Sequence, residues 1–184
     1  MRHQAARIAA EANLISKEKV SLWVGGQWRE TMLMAYTFHD EPIARYPKAV
    51  NRFAEPAFSL LQQGGKQHAI EAEALLREAL ELVSDAPDLM NNLAMALYIQ
   101  GREDEADALI RDIVERYPDY IFASASLARQ YIQEGDLDAA EELLRPYFSC
   151  DRFHVMEFGT FIDAYIGLLV AKGEKDNVQP WLKM

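Results

Sequence analysis

Small and large apolar residues recur at fixed slots through the middle of the chain, and the pattern superimposes on itself with a shift of 34 residues. Leu93-Ala94, Leu97, Gly101, Ala106 and Ile110 return as Leu127-Ala128, Tyr131, Gly135, Ala140 and Leu144. The spacing within each set is helical and the glycine divides it, so the period predicts pairs of helices. A pair with so broad an apolar side cannot bury it alone and must stack on its neighbours. The expected fold is therefore all-α, an antiparallel helix-pair solenoid.

In the clearest unit the pattern predicts a first helix over 86–100, with Ser84 or Asp85 as N-cap, Pro87 in the first turn and Gly101 as a left-handed stop. The second helix is expected from Glu103. Glu103, Asp104 and Glu105 stand where the helix dipole favours anions, Arg111 and Arg116 lie toward the other end, and Tyr117-Pro118 closes the unit. The next unit repeats the plan over 120–134, with Gly135 as stop, Asp136 as N-cap and a helix from Leu137 that Pro146 should shorten or kink. These two units span about 87–154.

Upstream, Leu60, Ala72, Leu76 and Ala79 fit a degenerate unit turning at Gly64-Gly65. Downstream, Gly173, Val178 and Leu182 fit another. Gly135 to Gly173 is 38 residues, four beyond the period, and the excess is expected in the Cys150–His154 connection. From about Pro56 onward there is little room for strands. The repeat region is thus placed at 53–184 and a non-repeat segment at 1–52.

That first segment opens with a helical stripe of Ala5, Ala6, Ile8, Ala9, Ala12 and Ile15. Gly25-Gly26 then separates Val20–Val24 from Gln27–Thr31, which reads either as a β-hairpin or as a loop between helices. His39-Asp40-Glu41-Pro42 is expected to be a turn and Tyr46-Pro47 a break.

Composition narrows the function. Among 184 residues, 29 acidic and 19 basic side chains leave a formal charge of −10, which repels phosphate backbones and argues against a nucleic-acid partner. Cys150 has no cysteine to pair with in the chain, which points to a reducing, cytoplasmic setting. The N-terminus lacks the continuous apolar run of a secretory signal. The apolar stretch 161–171 is interrupted by Asp163 and is too short for a bilayer, so no membrane partner is expected.

The recurring slots resemble the tetratricopeptide repeat (TPR), in which a first helix carries Leu and a small residue, Gly makes the turn, and a second helix carries Ala and a bulky residue. Leu93-Ala94-Leu97-Gly101-Ala106-Ile110-Pro118 and Leu127-Ala128-Tyr131-Gly135-Ala140-Leu144 meet that pattern, and the flanking units meet it in part. The resemblance implies a right-handed superhelix whose first helices line a concave groove for a protein or peptide. It implies groove positions at Asp88, Asn91, Asn92, Met95, Tyr98 and Ile99, then at Phe122, Ala125, Arg129, Ile132 and Gln133. Some members clamp a chaperone's terminal carboxylate with lysines, an arginine and asparagines. Here only Asn92 matches that set; Ala57, Leu61, Phe122 and Ser126 hold the other slots. Met, Tyr, Phe and Ile with one Arg suit an apolar or amphipathic segment instead. Residues around Trp23, Trp28, Met32, Leu33 and Met34 could equally fill the groove from within.

Catalytic chemistry leaves no trace in the spacing. The four histidines are scattered, Gly64-Gly65-Lys66-Gln67 lacks the earlier glycine and the hydroxyl of a phosphate loop, and Cys150 with His154 could meet on a helix face but would make only half a zinc site. Phe148, Phe153, Phe158 and Phe161 read as core. No cofactor is expected and the chain is not expected to be an enzyme. Val178, Trp181 and Leu182 form an apolar stripe on the last helix, which suits a longer chain, a docking partner or a homodimer through that helix. Two functions remain: an adaptor binding a partner segment in the groove, or a regulatory or self-assembly domain of a larger protein with the groove filled by its own N-terminal segment.

Overall fold

The computed structural model describes residues 19–24, 27–32, 37–41, 43–150 and 152–178. The stripe proposed at Ala5–Ile15 lies outside them, as do Leu33, Met34, Trp181 and Leu182. The chain divides into two compact units, Pro42–Leu127, and Ala128–Met184 together with the N-terminal stretch to Glu41.

The first unit contains α1 (Lys48–Gln63), α2 (Lys66–Leu82), α3 (Pro87–Gln100) and α4 (Glu103–Arg116). Each helix packs on the next and α1 also touches α3, which is the neighbour pattern of stacked helix pairs. α1 starts at Lys48, earlier than the expected repeat boundary, and continues through Pro56 because its buried stripe of Val50, Ala54, Ala57 and Leu61 runs on either side of that residue. Leu60, expected in the core, is half-buried while Leu61 turns inward.

α3 begins and ends largely where the pattern placed it, with one correction: Ala86 occupies the N-cap and no side chain caps it, so neither Ser84 nor Asp85 does. Gly101 adopts φ 81°, ψ 22°, a conformation that costs an L-residue about 1–2 kcal/mol. Its N–H donates to the Tyr98 carbonyl and that of Arg102 to the Leu97 carbonyl, which satisfies the end of the helix. The same two bonds recur around Gly135 and Gly173.

Helix α5 covers Ile121–Glu134. α6 (Leu137–Leu144) starts at Asp136, whose carboxylate accepts the Ala139 N–H at 3.1 Å. Pro146 acts as expected: the α-helix stops at Leu144 and a 3-10 turn continues over Arg145–Ser149. The residues in excess of the period then form strand β4 (Arg152–His154), which corrects the expectation of a helical region without strands.

In the second unit β1 (Lys19–Val24) and β2 (Gln27–Met32) form an antiparallel hairpin with Trp23 opposite Trp28, so the hairpin alternative holds. β1 lies against the 3-10 turn Lys175–Asn177. β3 (Thr37–His39) pairs in parallel with β4, Phe38 opposite Phe153 and His39 opposite His154. His39 therefore ends a strand, where a turn was expected.

α7 (Val155–Ala171) follows β4 directly. Its first turn is closed reciprocally: His154 Nδ1 accepts the Met156 N–H at 3.1 Å and Glu157 accepts the His154 N–H at 2.9 Å. Cys150 and His154 thus sit in extended backbone and share no helix face. Val178, expected in an exposed stripe, is buried.

The cores of both units follow the period. Ala72 with Leu76, Ala106 with Ile110 and Ala140 with Leu144 stand 34 apart, and none is more than 1% exposed. The second unit adds an aromatic cluster around fully buried Phe161, whose ring lies 5.1 Å from Phe148, 5.9 Å from Phe153 and 6.1 Å from both Tyr147 and Tyr165. Phe38 meets Phe158 edge-on at 4.9 Å, so the short parallel sheet is anchored by the same aromatic core.

Candidate functional site

Helix α3 buries Leu89, Met90, Leu93, Ala94, Ala96 and Leu97, which leaves a narrow line for solvent. Asn91, Met95 and Ile99 are four apart and fall on that line. Met95 is 46% exposed, while Asn91 and Ile99 are half-buried.

Other expected groove residues are already engaged. Asn92 donates its amide N–H to the Asp88 carbonyl at 2.6 Å, a bond within its own helix. Tyr98 donates its hydroxyl to Asp107 on α4, so it faces the paired helix and not the groove. Asp88 accepts the hydroxyl of Tyr46, which fastens the segment before α1 to the start of α3. Burial, then the bond to Asp88 and the charges of Asp88 and Asp85, push the Tyr46 phenol far above its usual range. Ala125 is fully buried and contributes no groove surface. Phe122 is half-buried with its ring 5.4 Å from that of Tyr120.

In the second unit, Arg129 pairs with Asp163 on α7 at 3.2 Å. The pair joins α5 to α7 within this unit. Both are exposed, so the pair adds little stability. Ile132 reaches toward Gly167 on α7, its Cδ1 3.8 Å from where a Cβ would stand. It packs toward the neighbouring helix and is half-buried. Of the chaperone-clamp slots, Ala57 and Leu61 are core.

A set of residues overlooked in the sequence obeys the same period. Glu73, Asp107 and Glu141 each follow the buried alanine of a second helix and stand 34 apart. The Glu73 carboxylate is 13% exposed and accepts from Gln100, Arg102 and Arg77, each at 2.7 Å. Burial by itself would raise its pKa, but the hydrogen bonds from Gln100, Arg77 and Arg102 outweigh burial and hold the carboxyl below its usual range. Glu141 accepts from Lys172, and that bond chiefly keeps its carboxyl low as well. The acidic character of one slot at a 34-residue spacing was the available signal.

Among the described residues no group of three or more His, Cys, Asp or Glu could hold a metal ion, and no helix is long and apolar enough to cross a membrane. No protein-family model matches the chain. Over 120 residues it is 29% identical to interferon-induced protein with tetratricopeptide repeats 3 of Mus musculus. The match covers 65% of this chain and spans 28% of the length of that protein. A distant likeness to a tetratricopeptide-repeat protein and a mostly helical, paired-helix structure agree on TPR-like helical repeats.

Proposed function

We propose that the chain is a protein-interaction scaffold that takes an apolar or amphipathic segment of a partner along the first-helix face of its TPR-like repeats. The observation that carries this reading is the Asn91–Met95–Ile99 line. On a helix that buries most of its apolar side chains, it leaves a large thioether 46% exposed between an amide and an isoleucine. Methionine adapts its shape to varied partner side chains, and the asparagine offers a donor and an acceptor to a partner backbone. Half-buried Phe122, on the next first helix within the same unit, belongs to the same set.

A photo-crosslinking residue at position 95, with another at exposed Glu78 on α2 as comparison, tests the reading. A partner protein should be captured from position 95 and not from 78, and Ile99→Asp should abolish that capture without altering the melting temperature. Equal capture from both positions refutes the surface. Crosslinking to the chain's own residues 20–34 instead would favour the groove-filled regulatory domain.

A further inference from the structure

The periodic acidic slot does more than satisfy donors on its own helix. Glu73 on α2 reaches the turn that ends α3, gripping Gln100 and Arg102 on either side of Gly101. In the second unit Glu141 on α6 reaches Lys172, the residue just before Gly173 at the end of α7. Gln100 and Lys172 therefore hold equivalent places, each preceding a left-handed glycine with φ of 81° and 75°. The acid comes from the second helix of one pair and the donor from the turn that ends the following helix.

We infer that this slot is a latch between neighbouring helices of the repeat: an acidic side chain directly after the small residue of a second helix pins the turn that ends the following helix in its docked, left-handed form. The residue directly before each acid is a buried alanine, Ala72 or Ala140, which allows close approach but offers little apolar area of its own. A carboxylate at the rim of that contact with several charge-assisted donors supplies a directional tie. Around Glu73 the charged groups are Arg77 on its own helix, and Arg102 and Glu105 at the start of α4; Arg102 also pairs with Glu105 at 2.6 Å. Gln100 additionally donates to the Ala69 carbonyl at 3.4 Å, so the turn contacts α2 at two levels. In the same slot Asp107 accepts from Tyr98 within its own helix pair.

The test is native-state hydrogen exchange on the full chain, read at the Gly101 and Arg102 amides that close α3. Glu73→Gln and Arg102→Gln should each lower protection there about tenfold, as expected for losing charge-assisted bonds. The double variant should lose clearly less than the product of the two, while Glu78→Gln should change nothing. Unchanged protection in Glu73→Gln, or losses that simply multiply, overturns the latch. Should Glu73→Gln fail to fold, Glu141→Gln read at the Gly173 and Glu174 amides decides the matter: a local loss there supports the latch and none refutes it.

Discussion

Truncating Phe161 to alanine probes the aromatic core that the second unit builds around α7. The side chain is 0% exposed and contacts rings at 5.1 Å (Phe148) and 5.9 Å (Phe153) as well as Tyr147 and Tyr165. Withdrawing a fully buried phenyl from water contributes about 1.5–3 kcal/mol, and each well-oriented ring pair adds about 0.5–1.5 kcal/mol. Part of the pair energy returns as the neighbours relax, so the expected loss is about 3–5 kcal/mol including the cavity. At roughly 2–4 °C per kcal/mol for a chain of this size, melting should fall by on the order of 6–20 °C. Urea unfolding followed by far-UV circular dichroism measures it, with Phe161→Leu expected to lose about 1–2 kcal/mol because most apolar volume remains. Half-buried Phe148 serves as the comparison. A loss below about 1 kcal/mol for Phe161→Ala, or one no larger than for Phe148→Ala, would refute the packing argument.

Ala106→Leu should overpack the contact at a 0% exposed site and cost about 1–3 kcal/mol, whereas an unchanged midpoint would contradict the register. Gly101→Ala, at φ 81°, should cost about 1–2 kcal/mol by backbone strain alone, since nothing lies within 4 Å of an added Cβ; an unchanged thermal midpoint would refute it. Glu73 and Glu141 have carboxyl pKa values lowered by folding, so the stability they confer is fully present above the ordinary glutamate value of 4.5 and is lost as pH falls through the lower folded values. Melting temperatures measured from about pH 6 to about pH 3 should accordingly fall more steeply in the native chain than in the variant carrying both Glu73→Gln and Glu141→Gln; parallel curves would show that these carboxylates are not tied in the folded state.

The helix pairs were legible because their determinants are local. Leu93, Ala94 and Leu97 repeat at helical spacing, Gly101 and Gly135 mark turns that only a residue without Cβ enters cheaply, and Asp136 and Pro146 start and shorten α6 through their own chemistry. The candidate surface was legible only in part. Periodicity identifies which residues share a face, and Met95 is exposed accordingly, but it cannot say which polar side chains find partners elsewhere. Tyr98 turned to Asp107, Asn92 to its own backbone and Ile132 toward Gly167 because hydrogen bonding and packing with other turns and helices compete for the same side chains.

The 34-residue pattern by itself determined the helix pairs, the buried register of Ala72, Ala106 and Ala140, and the acidic slot beside them, because each depends on spacing along one chain. Only the tertiary structure decided that the residues beyond the period become a strand pairing β3 with β4, and that Glu73 and Glu141 grip the following turns. Those features join segments far apart in sequence. Their formation rests on closing long loops and on desolvating specific donors against specific acceptors, and neither leaves a periodic mark in the order of residues.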